Sequence, residues 1–266
     1  MSSLRIAVAG KGGAGKTTLS ATLARLFARE GRDVTVIDGD SNPNVAIALG
    51  VSRERAEALE PLPITLVNRR LDGAHLNKPV DQVLDIHSVE APDGVRVLLM
   101  CLPAHADEGC LCSAHATVSG LLGDMQTRPG DAVTILDLEA SPEHLSRGTT
   151  RNVDALLLVV EPYYRSYETA RRMAALAAEL PIGRVAVVAN KLRTPSDLAA
   201  IEEYCERHSL HLDGRIPWST AVLDADAAQV PVLDYDPGGH VVAAISEVAG
   251  KLLALGAASP AAVAAG

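Results

Sequence analysis

The chain has 266 residues, 48% of them hydrophobic, and its 24 basic and 33 acidic side chains give a formal net charge of −9. That composition supplies a full core and excludes general disorder, and the negative balance argues against nucleic acid or an anionic membrane as the main partner. Seven aromatic residues and four cysteines argue further against base-stacking on single strands and against a disulfide framework.

Met1–Arg5 has no signal-peptide layout and no apolar run reaches about 18 residues, so a soluble cytoplasmic protein is expected. In chain order, Leu4–Ala9, Val34–Ile37, Val95–Met100, Val133–Leu136, Ala155–Val160 and Arg184–Ala189 are short apolar runs without alternation. They read as parallel strands covered on both faces. Lys16–Glu30 places Leu19, Leu23, Leu26 and Phe27 on one helical face, with Gly31 to end it. Tyr167–Leu180 and Pro195–His208 are predicted helices, Leu210–Ile216 a late strand and His240–Leu255 a last helix. Glu54–Asp93, broken by prolines, reads as strand and loop at the sheet edge, and residues 257–266 as a disordered tail. The order predicts one α/β domain over residues 1–256, with a doubly wound, mostly parallel sheet flanked by helices, as in a P-loop NTPase.

The first strand runs into Gly10-Lys11-Gly12-Gly13-Ala14-Gly15-Lys16-Thr17-Thr18. This is G-x-x-x-x-G-K-T with a strand before it and a helix after it. Backbone N–H groups of Gly12, Gly13, Ala14 and Gly15 turn towards phosphate oxygens, and the helix start adds partial positive charge. Lys16 would reach the β- and γ-phosphates, the Thr17 hydroxyl would ligate Mg²⁺, and Thr18 completes the loop. The chain has five lysines, and two of them lie in these nine residues.

Other strands also end in polar residues: Asp38-Gly39-Asp40 after Val36-Ile37, Asp137-Leu138-Glu139 after Ile135-Leu136, and Asn190-Lys191 after Ala189. Ile216-Pro217-Trp218 follows a later strand, with Pro217 expected beside the base. Strand ends of this kind form the ligand edge of an open α/β sheet. Apolar residues closing in Asp resemble a Walker B motif, with Asp137 holding Mg²⁺ through water. Glu139 reads equally as part of a switch or as an exposed acid.

With its early lysine, the loop resembles the deviant Walker A of the ATPases that include the nitrogenase iron protein, MinD, ParA and the arsenite-pump ATPase. The resemblance implies that Lys11 reaches across a homodimer to the partner's nucleotide. It implies further that Asp40 orients the attacking water, that Asp38 supports Mg²⁺ through its water shell, and that Asn190 contacts adenine.

Gly109-Cys110-Leu111-Cys112 carries two soft ligands. In an extended segment C-x-C aims both sulfurs to one side, and a two-fold dimer would gather four. Such donors suit Zn²⁺, Ni²⁺ or Cu⁺, while two small buried cysteines are the plainer reading. Cys101, His105 and His115 match no motif, and the two histidines are expected to be solvated or structural. Together with Asp137-Leu138-Glu139-Ala140, Glu143–Thr149, Val160-Glu161-Pro162 and Arg165-Ser166, the segment resembles the CooC-type accessory ATPases of carbon monoxide dehydrogenase. The likeness runs from Arg5 to about Leu255. It implies an ATP-driven homodimer that binds metal through Cys110 and Cys112 and assists nickel insertion into a client metalloenzyme such as carbon monoxide dehydrogenase. Two rivals read differently. An iron–sulfur electron donor needs a cysteine just past the Asp137 strand, and Leu138–Thr150 has none. A MinD- or ParA-type positioning switch needs a basic membrane helix or a DNA-binding surface. The last helix has one lysine, and Arg147, Arg151, Arg165, Arg171 and Arg172 read as a solvated face.

Overall fold

The apolar runs take up strands in a computed structural model, which describes residues 3–70, 73–100, 112–128 and 130–258. In order these are β1 (Leu4–Gly10), α1 (Lys16–Arg29), β2 (Asp33–Gly39), α2 (Val45–Ala48), α3 (Arg53–Glu57), β3 (Val67–Arg70), β4 (Gly73–Leu76), α4 (Val80–His87), β5 (Val89–Glu90), β6 (Arg96–Leu99) and α5 (Cys112–Asp124). There follow β7 (Ala132–Leu138), α6 (Glu143–Ser146), β8 (Ala155–Val160), α7 (Tyr164–Ala177), β9 (Arg184–Leu192), α8 (Pro195–Arg207), β10 (His211–Pro217), α9 (Thr220–Ala227), α10 (Val232–Tyr235) and α11 (His240–Ala258). No helix among the described residues is long and apolar enough to cross a membrane.

Eight strands form one sheet in the order β10-β9-β8-β1-β7-β2-β6-β5. All neighbours are parallel except the short β5, which runs antiparallel to β6 at the edge. Strand side chains alternate between the two faces, so each strand feeds two cores. Ile6 and Val8 of β1 pack with Leu23 and Phe27 of α1 and Ile245 of α11. Ala7 and Ala9 join the opposite core with Leu121 of α5, Met173 of α7 and Tyr204 of α8. Helices thus cover both faces, as the unalternating runs require. Beyond β1 the order splits, with β7 and β2 to one side and β8 to the other. A crevice at such a reversal opens at the carboxyl ends of the strands.

Three elements differ from expectation. Glu54–Asp93 holds α3, α4 and a separate two-stranded hairpin of β3 and β4, because Pro61, Pro63 and Pro79 cut it into short pieces and Pro79 opens α4. Cys112 opens α5, so it is helical and not part of an extended C-x-C segment, and Cys110 lies outside the described residues. Small residues blur the helical pattern of α5. One of them, Gly120, lets the helix lie against the hairpin, since a Cβ there would sit 2.9 Å from the Ala74 carbonyl oxygen. Finally, α11 runs to Ala258, two residues into the expected tail.

Candidate nucleotide-binding site

The glycines at 13 and 15 take φ of +80° and +95°, left-handed values that side chains resist. The turn they make delivers the chain to α1, whose start has no side-chain cap and no acidic residue in its first turn. Its leading N–H groups are therefore available to an anion. Lys16 opens that helix with only 7% of its surface exposed. The loop is braced from β9: Asn190 Nδ2 donates to the Ala14 carbonyl at 2.7 Å, and Lys191 Nζ donates to the Gly13 carbonyl at 2.6 Å while pairing with Glu161 at 2.6 Å. A Cβ on Gly15 would collide with the Asn190 amide. Asn190, expected as a base contact, braces the phosphate loop through this bond.

Register sets Asp38 of β2 directly beside Asp137 of β7. Asp137 is 1% exposed and accepts from Thr17 Oγ1 at 2.7 Å and from Ser20 Oγ at 2.8 Å. Ser20 lies one turn beyond Thr17 on α1, a spacing from which it could have been picked out. Asp38 accepts backbone N–H bonds from Asn44 and Val45 at 2.9 Å and from Asp40 at 3.1 Å. Burial raises Asp137 to about 7 and Asp38 to about 6, against the opposing pull of these hydrogen bonds. Asp40, half-buried, accepts from the Asn42 N–H at 2.9 Å. A buried carboxylate beside a hydroxyl is a hard-oxygen donor set that fits Mg²⁺, and the carboxylate gives up its proton when the cation binds.

The raised carboxylates predict a pH response. Folded Asp137 and Asp38 hold protons up to about 7 and 6, whereas unfolded carboxylates release them near 3.8. Without nucleotide and magnesium, stability is therefore greatest below about pH 4 as far as these groups are concerned, and their contribution falls as pH rises towards 7. Asp137→Asn is expected to remove about 1–3 kcal/mol of that decline, read from thermal unfolding between pH 4 and 7.5. A variant with the wild-type slope would contradict it.

Next to the loop is a cavity of about 350 Å³, lined by Thr18, Asn190, Lys191, Arg193, Pro217 and Trp218 among others. The Arg193 guanidinium lies 4.6 Å from the Trp218 ring centroid, giving the cavity a flat polar-rimmed wall of the kind a base stacks on. Lys11 sits outside this cavity, its Nζ 5.7 Å from the centroid of Tyr163. Glu139 accepts from Ser141 Oγ at 2.5 Å.

A second cavity, about 450 Å³, is lined by Cys112, His115, Ser119, Arg147 and Arg151 with parts of the hairpin. Arg147 Nη1 donates to Cys112 Sγ at 2.9 Å, and its Nε donates to Glu143 at 2.6 Å. Cys112 is exposed and disulfide-bonded, so metal binding there needs reduction first. Cys101, His105 and Cys110 lie outside the described residues. Among the described residues no group of three or more His, Cys, Asp or Glu could hold a metal. His115 is buried at 4% exposure, hence structural rather than solvated, with its ring 4.6 Å from that of His144. Burial keeps both rings neutral, taking His115 down to about 4 and lowering His144 as well. His144 escaped sequence reasoning because its partner, Gly39, is 105 residues away.

The described residues thus gather Lys16, Thr17, Asp38 and Asp137 at one sheet edge, with Asn190, Lys191 and Pro217 around the adjoining cavity. The profile of the CobQ/CobB/MinD/ParA nucleotide-binding domain matches residues 6–232. The chain is 38% identical over 243 residues to the carbon monoxide dehydrogenase accessory protein CooC of Rhodospirillum rubrum, covering 88% of this chain and 91% of that one. It is 32% identical to an uncharacterized ATP-binding protein of Methanocaldococcus jannaschii, covering 86% and 91%. In fold it resembles the septum site-determining protein MinD of Pyrococcus horikoshii complexed with Mg-ADP, with a TM-score of 0.69, 17% identity and coverage of 98% and 100%. A ParA family ATPase of Chlorobium tepidum gives 0.70, 18%, 93% and 98%. The chain belongs to the CobQ/CobB/MinD/ParA family of nucleotide-hydrolysing P-loop ATPases.

Proposed function

We propose that this ATPase works as a nucleotide-dependent homodimer that assists insertion of a metal ion, nickel first among candidates and zinc second, into a client metalloenzyme such as carbon monoxide dehydrogenase. The observation that carries the reading is the bond from Arg147 to Cys112, which joins one cysteine of the C-x-C to the segment that leaves Asp137. The 38% identity to a carbon monoxide dehydrogenase accessory protein supports the choice of client class.

The roles given to the site residues belong to this reading, and their placement supports them. Backbone N–H groups of residues 12–18 and the ammonium of Lys16 hold the phosphates of ATP. Thr17 and Asp137, with Asp38 behind them, would hold Mg²⁺, which when bound neutralises charge on the phosphate oxygens. Asp40, on the loop beyond Asp38, orients the attacking water, and Lys11 of the partner chain stabilises the charge that develops on the transferred phosphoryl group. Asn190, Lys191 and Pro217 seat the base. Cys110 and Cys112 of two chains, once reduced, make a four-sulfur site for the metal cargo.

Anaerobic, reduced protein with ATP and nickel should hold about half a metal ion per chain, because two sulfurs per chain make one site per dimer. Binding should drive dimerisation by mass action. The double variant Cys110→Ser/Cys112→Ser should lose both effects while keeping its affinity for ATP. A tight full equivalent per chain that survives in the double variant would overturn the interface site.

A further inference from the structure

Buried contacts run from the nucleotide edge through His144 to His115 on α5, one turn from the exposed Cys112. His144, 1% exposed, places Nε2 3.0 Å from the carbonyl oxygen of Gly39. A carbonyl only accepts, so Nε2 carries the ring proton and donates it. Gly39 lies between Asp38 and Asp40, the two acids of the nucleotide edge. It is packed hard: a Cβ there would sit 3.0 Å from the Asp137 carbonyl oxygen and 3.2 Å from His144 Cε1. The hydrogen bond ties the His144 ring to the backbone between Asp38 and Asp40.

From His144 the path continues edge-on to His115, 4.6 Å between ring centroids at 75°. His115 stands one turn from Cys112 on α5, and its Nδ1 lies 2.8 Å from Thr149 Oγ1. Glu143, next to His144, accepts from Arg147, which in turn donates to Cys112. The path is not fully satisfied. His144 Nδ1 and His115 Nε2 are both buried without a hydrogen-bond partner among the described residues. Buried unpaired nitrogens are costly, so these two rings are the least satisfied part of the path.

We propose that His144 is a positioning residue that passes the nucleotide state of the Gly39–Asp40 loop through His115 to the Cys112 end of α5. This rests on the reading above, in which that loop meets the end of the triphosphate and Cys112 meets the metal. It adds a specific residue that makes one site responsive to the other. Neither a contact to nucleotide nor one to metal is assigned to His144. Coupling of this kind is a free energy between two sites and is carried by an element with two arrangements.

The test reads Cys112 without needing any metal. Reduced, full-length protein is treated with N-ethylmaleimide, with and without magnesium and a non-hydrolysable ATP analogue. The rate at Cys112 is taken from fragment ions of its peptide. In the wild type the analogue should change that rate by about fivefold or more, the lower end of usual allosteric coupling. His144→Phe keeps a ring but loses the donor, and the response should shrink to within about twofold while affinity for the analogue stays within about threefold. His144→Gln, whose amide can still reach Gly39, should keep the response, which a merely space-filling role would not explain. If His144→Phe fails to fold, Thr149→Val makes a second break by releasing His115 Nδ1, and it should also reduce the response. An undiminished response in folded His144→Phe or Thr149→Val would overturn the link and leave the metal reading standing. A wild type with no response would overturn the link and nucleotide-gated metal handling together. A response that is lost in His144→Phe, in protein that takes up neither nickel nor zinc, would support the link and remove the metal reading.

Discussion

Lys11→Gln should bind ATP with near-normal affinity and turn it over about 10³–10⁵-fold more slowly, the worth of a cation supplied in trans to phosphoryl transfer. Lys11 does not stand with Lys16 at the buried loop; its Nζ rests over Tyr163 of its own chain. Removing it leaves the backbone cradle, Thr17 and Asp137 untouched, so binding and turnover should separate. Mixing makes the trans role measurable. In a heterodimer of Lys11→Gln and Asp40→Asn chains, one site has an intact Asp40 and faces an intact Lys11 from its partner. Random exchange should restore roughly a quarter of wild-type turnover, since half the dimers are mixed and half of their sites are whole. Heterodimers that form and stay inactive would place the role of Lys11 within its own chain.

The second large effect is at Asp40. Asp40→Asn keeps an acceptor oxygen for the Asn42 N–H, so the loop should hold its shape while losing the charge that orients water. Turnover should fall about 10²–10⁴-fold with ATP affinity changed by no more than a fewfold, read by single-turnover hydrolysis and equilibrium binding. Wild-type turnover in this variant would move the water-orienting role to another residue, and Glu139 is the next acid on the neighbouring strand end. The contrast with Lys11→Gln is informative: both should spare binding, but only the lysine defect is repaired by an Lys11-intact partner at the same site.

How much of this was legible depended on the range of the interaction. The phosphate loop was readable because its glycines, Lys16 and Thr17 are contiguous, and the strands because unalternating apolar runs mean burial on both faces. Asp38 and Asp137 could be placed at strand ends, but their adjacency comes from the pairing of β2 with β7, about a hundred residues apart, which no local pattern encodes. The same limit hid the bonds from His144 to Gly39 and from Asn190 to the Ala14 carbonyl. α5 was missed because its small residues leave no regular apolar stripe, and Gly120 lies close against the hairpin where a larger side chain would not fit. In Glu54–Asp93 the prolines announced interruption without saying that α4 would start at one of them.

Strand order has one more consequence. β2 lies between β6 and β7, so the chain that leaves β6 and enters β7 must cross over the strand that carries Asp38, whatever its sequence. That crossover carries Cys112, and β1, α1 and β2 are complete before it begins. An evolving lineage could therefore exchange the whole crossover, Cys112 included, while β1, α1 and β2 stay as they were. Any replacement would still leave from the carboxyl end of β6, the side on which Asp38 and Asp137 stand, because the strand order alone dictates it.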